Sequence, residues 1–208
     1  MTITKSYLNK VMHERKSVRK YDANYKIPQA ELKELLTEAT TAPSSSNLQP
    51  WRFLVIQDAT VKKELRQIAN NQEQIETASA IIAVLGDTEM YKNDEEIYTK
   101  NFEQGYMDEA TKNSMIENSL KLYPNLPKEI LKNIATFDAG LISMQIMLLA
   151  KDMGYDTVTM GGFNKEAFAK HFELADHLVP IVLIAIGKAA MPAYGSSRLA
   201  LKDIVKFI

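Results

Sequence analysis

Apolar positions along the chain fall into two spacings, and these divide it into helices and strands. After Pro28, Leu32, Leu35, Leu36 and Ala39 recur at i, i+3, i+4 and i+7. This predicts an amphipathic helix opened by the proline and stopped by Pro43. Tyr7, Leu8, Val11 and Met12 place a shorter helix over residues 4–14. Val61, Leu65, Ile68 and Ala69 place another from about Thr60. Trp51 to Ile56 reads as a strand. Ala80 to Leu85 is an unbroken apolar run bounded by Gly86-Asp87, the pattern of a strand buried on both faces.

Residues 88–126 are the most polar stretch, with charges at Glu89, Lys92, Asp94, Glu95 and Glu96, and predict two exposed helices. Pro127 then starts a long helix to Met153, closed by Gly154. Ile130, Leu131, Ile134, Leu141, Ile142, Met144, Met147, Leu148 and Leu149 make it apolar on more than one face. Such a helix is either central to the core or part of a subunit interface. Asp156 to Met160 predicts a short strand, Asn164 caps a helix through Phe172, and Val179 to Ile186 is a second buried strand. The apolar end, residues 204–208, predicts a terminal strand. There is no internal repeat, low-complexity tract or linker, so one domain spans 1–208, with 88–126 as a variable helical excursion. Alternation of strands and helices alone would suggest a doubly wound parallel sheet.

Composition removes several function classes. Lys and Arg number 25 against 26 Asp and Glu, a net charge of −1, which gives no general attraction to nucleic acid or anionic membrane. The absence of cysteine excludes thiol chemistry, disulfides and thiolate metal sites. His13, His171 and His177 show no metal-ligand spacing, so no metal site is expected. Met1 to Lys5 lacks the apolar stretch of a signal peptide. The apolar zone from Ala139 to Ala150 is broken by Ser143 and Gln145, too short and polar for a membrane span. These features predict a cytoplasmic protein. No Ser-His-Asp set, P-loop or G-x-G-x-x-G is present, so a nicotinamide would have no dedicated dinucleotide domain.

The chemistry lies in a few polar segments. In Arg15-Lys16-Ser17-Val18-Arg19 an extended backbone would put Arg15, Ser17 and Arg19 on one face at intervals of roughly 6–7 Å. Two guanidiniums flanking a hydroxyl suit a phosphate, although a solvated basic helix end would read the same way. Pro43-Ser44-Ser45-Ser46-Asn47-Leu48-Gln49-Pro50-Trp51 is a helix-to-strand loop richer in hydroxyls and amides than a turn needs. Its Trp51 is a core residue. Asn71 and Gln74 lie three apart, hence on one helical face, and equally suit a plain polar surface. Gly161-Gly162 after Met160 can be a turn or a close backbone approach to a ligand.

Together these segments resemble the nitroreductase family of FMN-dependent oxidoreductases, which open with R-x-S-x-R followed by P-S-S-x-N-x-Q-P-W. Asn71 with Gln74, the Thr159-to-Phe163 loop and Ser196-Ser197-Arg198-Leu199 extend the match over nearly the whole chain. The resemblance implies an α+β, three-layer fold: a mixed, largely antiparallel sheet wrapped by helices, in a homodimer with shared active sites. It implies that Arg15, Lys16, Ser17 and Arg198 hold the FMN phosphate and ribityl chain, with Arg19 nearer the pyrimidine edge. Pro43, Ser44, Ser45 and Asn47 would reach the partner's flavin, and Asn71, Gln74, Met160, Gly161 and Gly162 the ring. Hydride would pass from NAD(P)H through flavin N5 to a nitroaromatic or quinone in a ping-pong sequence, with no side-chain acid or base required. Phe102, Tyr106 and Tyr123 are candidate lid aromatics. Two departures bear on specificity: Gln74 stands where many relatives carry Lys, and Gly161 where several carry Glu. Alternatives are dehalogenase or flavin-fragmenting chemistry in the same cradle, a flavin-binding regulator or store without turnover, and a cofactor-free helical interaction protein.

Overall fold

The computed structural model describes residues 6–208; the reading of Met1 to Lys5, including the start of the first helix, lies outside them. The elements are α1 (Tyr7–Glu14), α2 (Gln29–Ala39), β1 (Trp51–Ile56), α3 (Ala59–Ile68), α4 (Glu73–Thr77), β2 (Ala80–Asp87), α5 (Asp94–Glu103) and α6 (Glu109–Leu122). They continue with α7 (Lys128–Asp152), β3 (Asp156–Met160), α8 (Lys165–His171) and β4 (Leu178–Gly187). Local chemistry sets the boundaries. Asp58, Asp108 and Asn164 each accept a backbone N–H of the helix they precede. Gly154 ends α7 at φ +77°.

The four strands form one sheet in the order β1-β2-β4-β3, every neighbouring pair antiparallel. Apolar alternation could not set strand direction, and the parallel sheet that pattern alone suggested is not what forms. Pro180 is accommodated at a bulge: Val84 pairs with Val182 and Leu85 with Pro180, so Ile181 is an extra residue in β4.

β2 is buried along its whole length because both faces are covered. Ile81, Ala83 and Leu85 pack with Leu65, Ile75, Phe163 and Phe168 on one side. Ala80, Ile82 and Val84 pack with Leu32, Leu35, Ala139, Ile142 and Ile146 on the other. That makes three layers, each fully buried Ile, Leu or Phe contributing about 1.5–3 kcal/mol. α7 is by length and composition apolar enough to cross a membrane, longer than the apolar zone read from sequence. Here Ala135, Ala139, Ile142, Ile146 and Ala150 are buried, and the last four pack with the sheet as its central helix. Ile130, Phe137 and Met144, at heptad spacing, remain exposed.

Residues 15–22 form a strap along the free edge of β3. Ser17 forms an isolated parallel bridge with Thr157 at the sheet's edge, and Tyr21 an antiparallel one with Ala189. The strap lies close at Gly187, where a Cβ would sit 3.0 Å from Tyr21 Cδ1 and 3.1 Å from Ser79 N. The tail differs from expectation. After a short turn at Leu201–Asp203, residues 204–208 are exposed and form no strand; among the described residues none offers them a ladder partner.

Candidate active site

The strap and the tail together build a cationic cavity. Val18 donates its N–H to Thr157 O at 3.1 Å and turns its side chain into the core. Arg15, Ser17 and Arg19 alternate to the opposite side, as an extended backbone requires. They line a cavity of about 220 Å³ with Lys16, Tyr194, Gly195, Ser196 and Arg198. Residues at opposite ends of the chain thus meet in one place. Four of the eight lining residues are cationic and none is acidic, and among the described residues none of the four is in an ion pair. Arg198 Nη1 donates to Ser196 Oγ at 2.8 Å and Ser197 O at 2.7 Å, while Arg15 Nε is buried without a partner. A buried donor left unpaired is costly, and a phosphate oxygen is the acceptor that matches its charge and geometry. The donor set fits the phosphate end of a nucleotide.

A larger cavity, about 350 Å³, lies between Gln49, Arg52 and Lys100. Its arginine is already paired, Arg52 with Asp87 at 2.8 Å. The uncompensated charge belongs to the smaller cavity.

Beside the strap a second cluster holds the glycine loop. Asn70 Nδ2 and Gln72 Nε2 both donate to Gly162 O, at 2.8 and 3.1 Å. Gln74 Nε2 donates to Gln72 Oε1 at 3.0 Å and lies 3.3 Å from Met160 Sδ. Lys20 pairs with Glu73, which links the strap to α4. Asn71 and Gln74 do not share a helical face. Asn70 and Asn71 form a left-handed turn, at φ 54° and 55°, before α4 begins at Glu73. Asn tolerates that conformation better than most residues, so the Asn-Asn pair was a turn signal rather than part of a helix. Asn70 and Gln72 were not singled out from sequence.

The Pro43–Asn47 segment is elsewhere and contributes nothing to the arginine cavity of its own chain. Its hydroxyls are engaged internally. Ser44 Oγ accepts from Gln49 N at 3.0 Å. Ser45 donates through N and Oγ to the Asp138 carboxylate at 3.0 and 3.1 Å. Ser46 Oγ meets Tyr123 OH at 2.9 Å, and Tyr98 OH donates to Ser46 O at 2.7 Å. Ser46, Asn47 and Gln49 all have positive φ, at 50°, 54° and 48°, a strain of about 1–3 kcal/mol each that surrounding contacts must hold. Pro43 and Asn47 are exposed. Asp138 is fully buried on α7; burial pushes its carboxyl above the usual range, against the two Ser45 bonds that hold it down. Tyr123 is not a free lid aromatic: it is buried and stacked on Tyr91 with centroids 6.5 Å apart. Phe102 and Tyr106 are exposed, with Lys112 Nζ over the Phe102 ring at 4.9 Å.

The model of the nitroreductase family matches residues 12–188. The Bacillus subtilis protein YodC, named as a candidate NAD(P)H nitroreductase, is 42% identical over 194 residues, covering 93% of this chain and 95% of its own. The conjugated linoleic acid (CLA) biosynthesis enone reductase of Lactiplantibacillus plantarum is 34% identical over 201 residues, covering 95% of this chain and 93% of its own. An Exiguobacterium sibiricum protein solved in complex with FMN superposes with a TM-score of 0.93 at 41% identity, over 100% of both chains.

Proposed function

The chain belongs to the nitroreductase family, and on that premise we propose that it is an FMN-dependent oxidoreductase. It takes reducing equivalents from NAD(P)H and delivers them to a small acceptor of the nitroaromatic or quinone type. The observation that carries this is the arginine cavity: uncompensated positive charge, with the unpartnered Arg15 Nε, where strap and tail meet. FMN in that place supplies hydride acceptance from the nicotinamide and redelivery to the second substrate. Arg15, Lys16, Ser17 and Arg198 hold its phosphate end. Arg19, on the same side of the strap, lends positive charge toward the ring's pyrimidine edge. Asn70, Gln72 and Gln74 hold Met160, Gly161 and Gly162 in place, and Asn71 stands at the same turn. The missing side chains of the two glycines let backbone approach the ring.

Pro43, Ser44, Ser45 and Asn47 complete the site of a second subunit. In support, the loop lies off its own chain's arginine cavity, and α7 leaves Ile130, Phe137 and Met144 exposed along one stripe. The protein is therefore a homodimer with shared sites, one domain per chain, working in the cytoplasm. Residues 88–126 cover the acceptor, with Phe102 and Tyr106 as its exposed aromatics. With no dinucleotide-binding motif, donor and acceptor use one face in turn, so the kinetics are ping-pong.

Acid release of the flavin followed by chromatography tests the site, with about one FMN per subunit expected and FAD as the main flavin contradicting a terminal-phosphate pocket. Double-reciprocal plots with NAD(P)H and a quinone should be parallel; convergent lines would require a separate donor site. A second reading of the acceptor, an activated carbon–carbon double bond, is favoured by the 34% identity to the enone reductase. An enone turned over faster than any quinone would select it.

A further inference from the structure

We propose that Asp138 is a positioning residue: from its buried place on α7 it fixes Ser45, and with Tyr98 and Tyr123 it sets the 44–49 loop for the flavin it faces across the subunit interface. This rests on the shared-site reading above. Asp138 has no exposed surface and lies among apolar neighbours, Ala135, Ala139 and Ile142, on the sheet-facing side of α7. A carboxylate there is expensive, and packing alone would be met by an apolar side chain. Its two oxygens each accept one donor of the same residue, Ser45 N at 3.0 Å and Ser45 Oγ at 3.1 Å. An alanine in its place has no acceptor and loses both bonds, whereas an amide keeps both contacts by accepting from Ser45 N and donating to Ser45 Oγ.

The loop so held would not keep its shape unaided. Ser46, Asn47 and Gln49 occupy the left-handed region without being glycine, which persists only when neighbours over-determine it. Those neighbours come from three elements. Asp138 on α7 holds Ser45, Tyr98 on α5 holds Ser46 O, and Tyr123 after α6 holds Ser46 Oγ. Both tyrosines belong to the segment that covers the acceptor, so a shift of that cover is felt at Ser46. The Ser45 hydroxyl and amide act as the anchor, which leaves Ser44, Asn47 and the backbone to meet the cofactor.

The test uses the full-length flavoprotein and compares Asp138→Ala with Ile142→Val, a mild core change on the same face of α7. Asp138→Ala should weaken FMN binding on the order of tenfold, displace the visible absorption bands and raise the acceptor KM, and Asp138→Asn should restore most of each. Ile142→Val should lower the melting temperature and leave the bands in place. Tyr98→Phe and Tyr123→Phe, which each remove one hydroxyl, should displace the bands in the same direction. A colourless unmutated protein sinks the shared-site reading and this inference with it. A yellow protein whose Asp138→Ala form keeps its bands, flavin affinity and KM sinks the inference alone. If Asp138→Ala does not fold, the Tyr98→Phe/Tyr123→Phe double variant decides: unchanged bands and affinity overturn the proposal.

Discussion

Lys20 is paired with Glu73, and through that contact the strap that carries the arginines is tied to the helix that carries Gln74. Both side chains are about half exposed, at 53% and 50%. An ion pair so open to water contributes to stability only within the scatter range of a denaturation midpoint. Glu73→Gln should therefore leave the urea midpoint close to that of the unmutated protein, and weakly salt-dependent. A loss well above that range would mean that the pair holds the strap down.

Arg15→Ala should weaken FMN binding more than it slows turnover in fully reconstituted enzyme. Losing charge-assisted hydrogen bonds costs roughly 1.5–3 kcal/mol, about 10- to 150-fold in affinity. Flavin fluorescence titration reads this directly, and an unchanged dissociation constant would remove Arg15 from the phosphate.

Phe137 sits midway along the exposed stripe of α7 and is 65% exposed in the single chain. In a dimer built on that stripe it is buried twice over, once per copy. Phe137→Asp should raise the dimer dissociation constant on the order of 100-fold or more and release flavin as subunits part. A dimer of unchanged strength by sedimentation would place the interface elsewhere.

Lys62 is buried, with Nζ donating to Ala78 O at 2.5 Å. Burial first, then Lys26, lowers its pKa, against Glu76 and Asp58. The unfolded chain thus binds more protons between the lowered value and the ordinary lysine value, so stability from this group rises with pH across that window. Lys62→Met should raise the melting temperature at neutral pH, with a benefit that shrinks as pH climbs to the ordinary lysine range. A pH-independent difference would mean that folding leaves the Lys62 pKa where it is in the unfolded chain.

Binary pattern carried the helices and strands well because burial here follows period. β2 reads as continuous apolar residues since both its faces are covered, and α2 shows a clean stripe since one side meets the sheet. Pairing was not local and was not legible. The apolar end at 204–208 looked like a strand but has no ladder partner among the described residues, and the antiparallel order came from tertiary contacts. At the site, residue types were readable and their engagements were not. Nothing near Ser45 reveals that its donors turn to a residue 93 positions away. The Asn71–Gln74 spacing suggested a shared face only while the Asn70-Asn71 turn went unrecognised.

Gly187 touches none of the residues that line the cationic cavity, yet the strap can lie down only because it has no side chain. Retention of a nucleotide therefore depends on an empty volume at the far end of β4. A single methyl group there would press on Tyr21 and the Ser79 backbone, and the strap that carries the arginines would have to give by a few tenths of an ångström. Such a chain would hold flavin less tightly, its defect lying in a position that no inspection of ligand contacts would reveal.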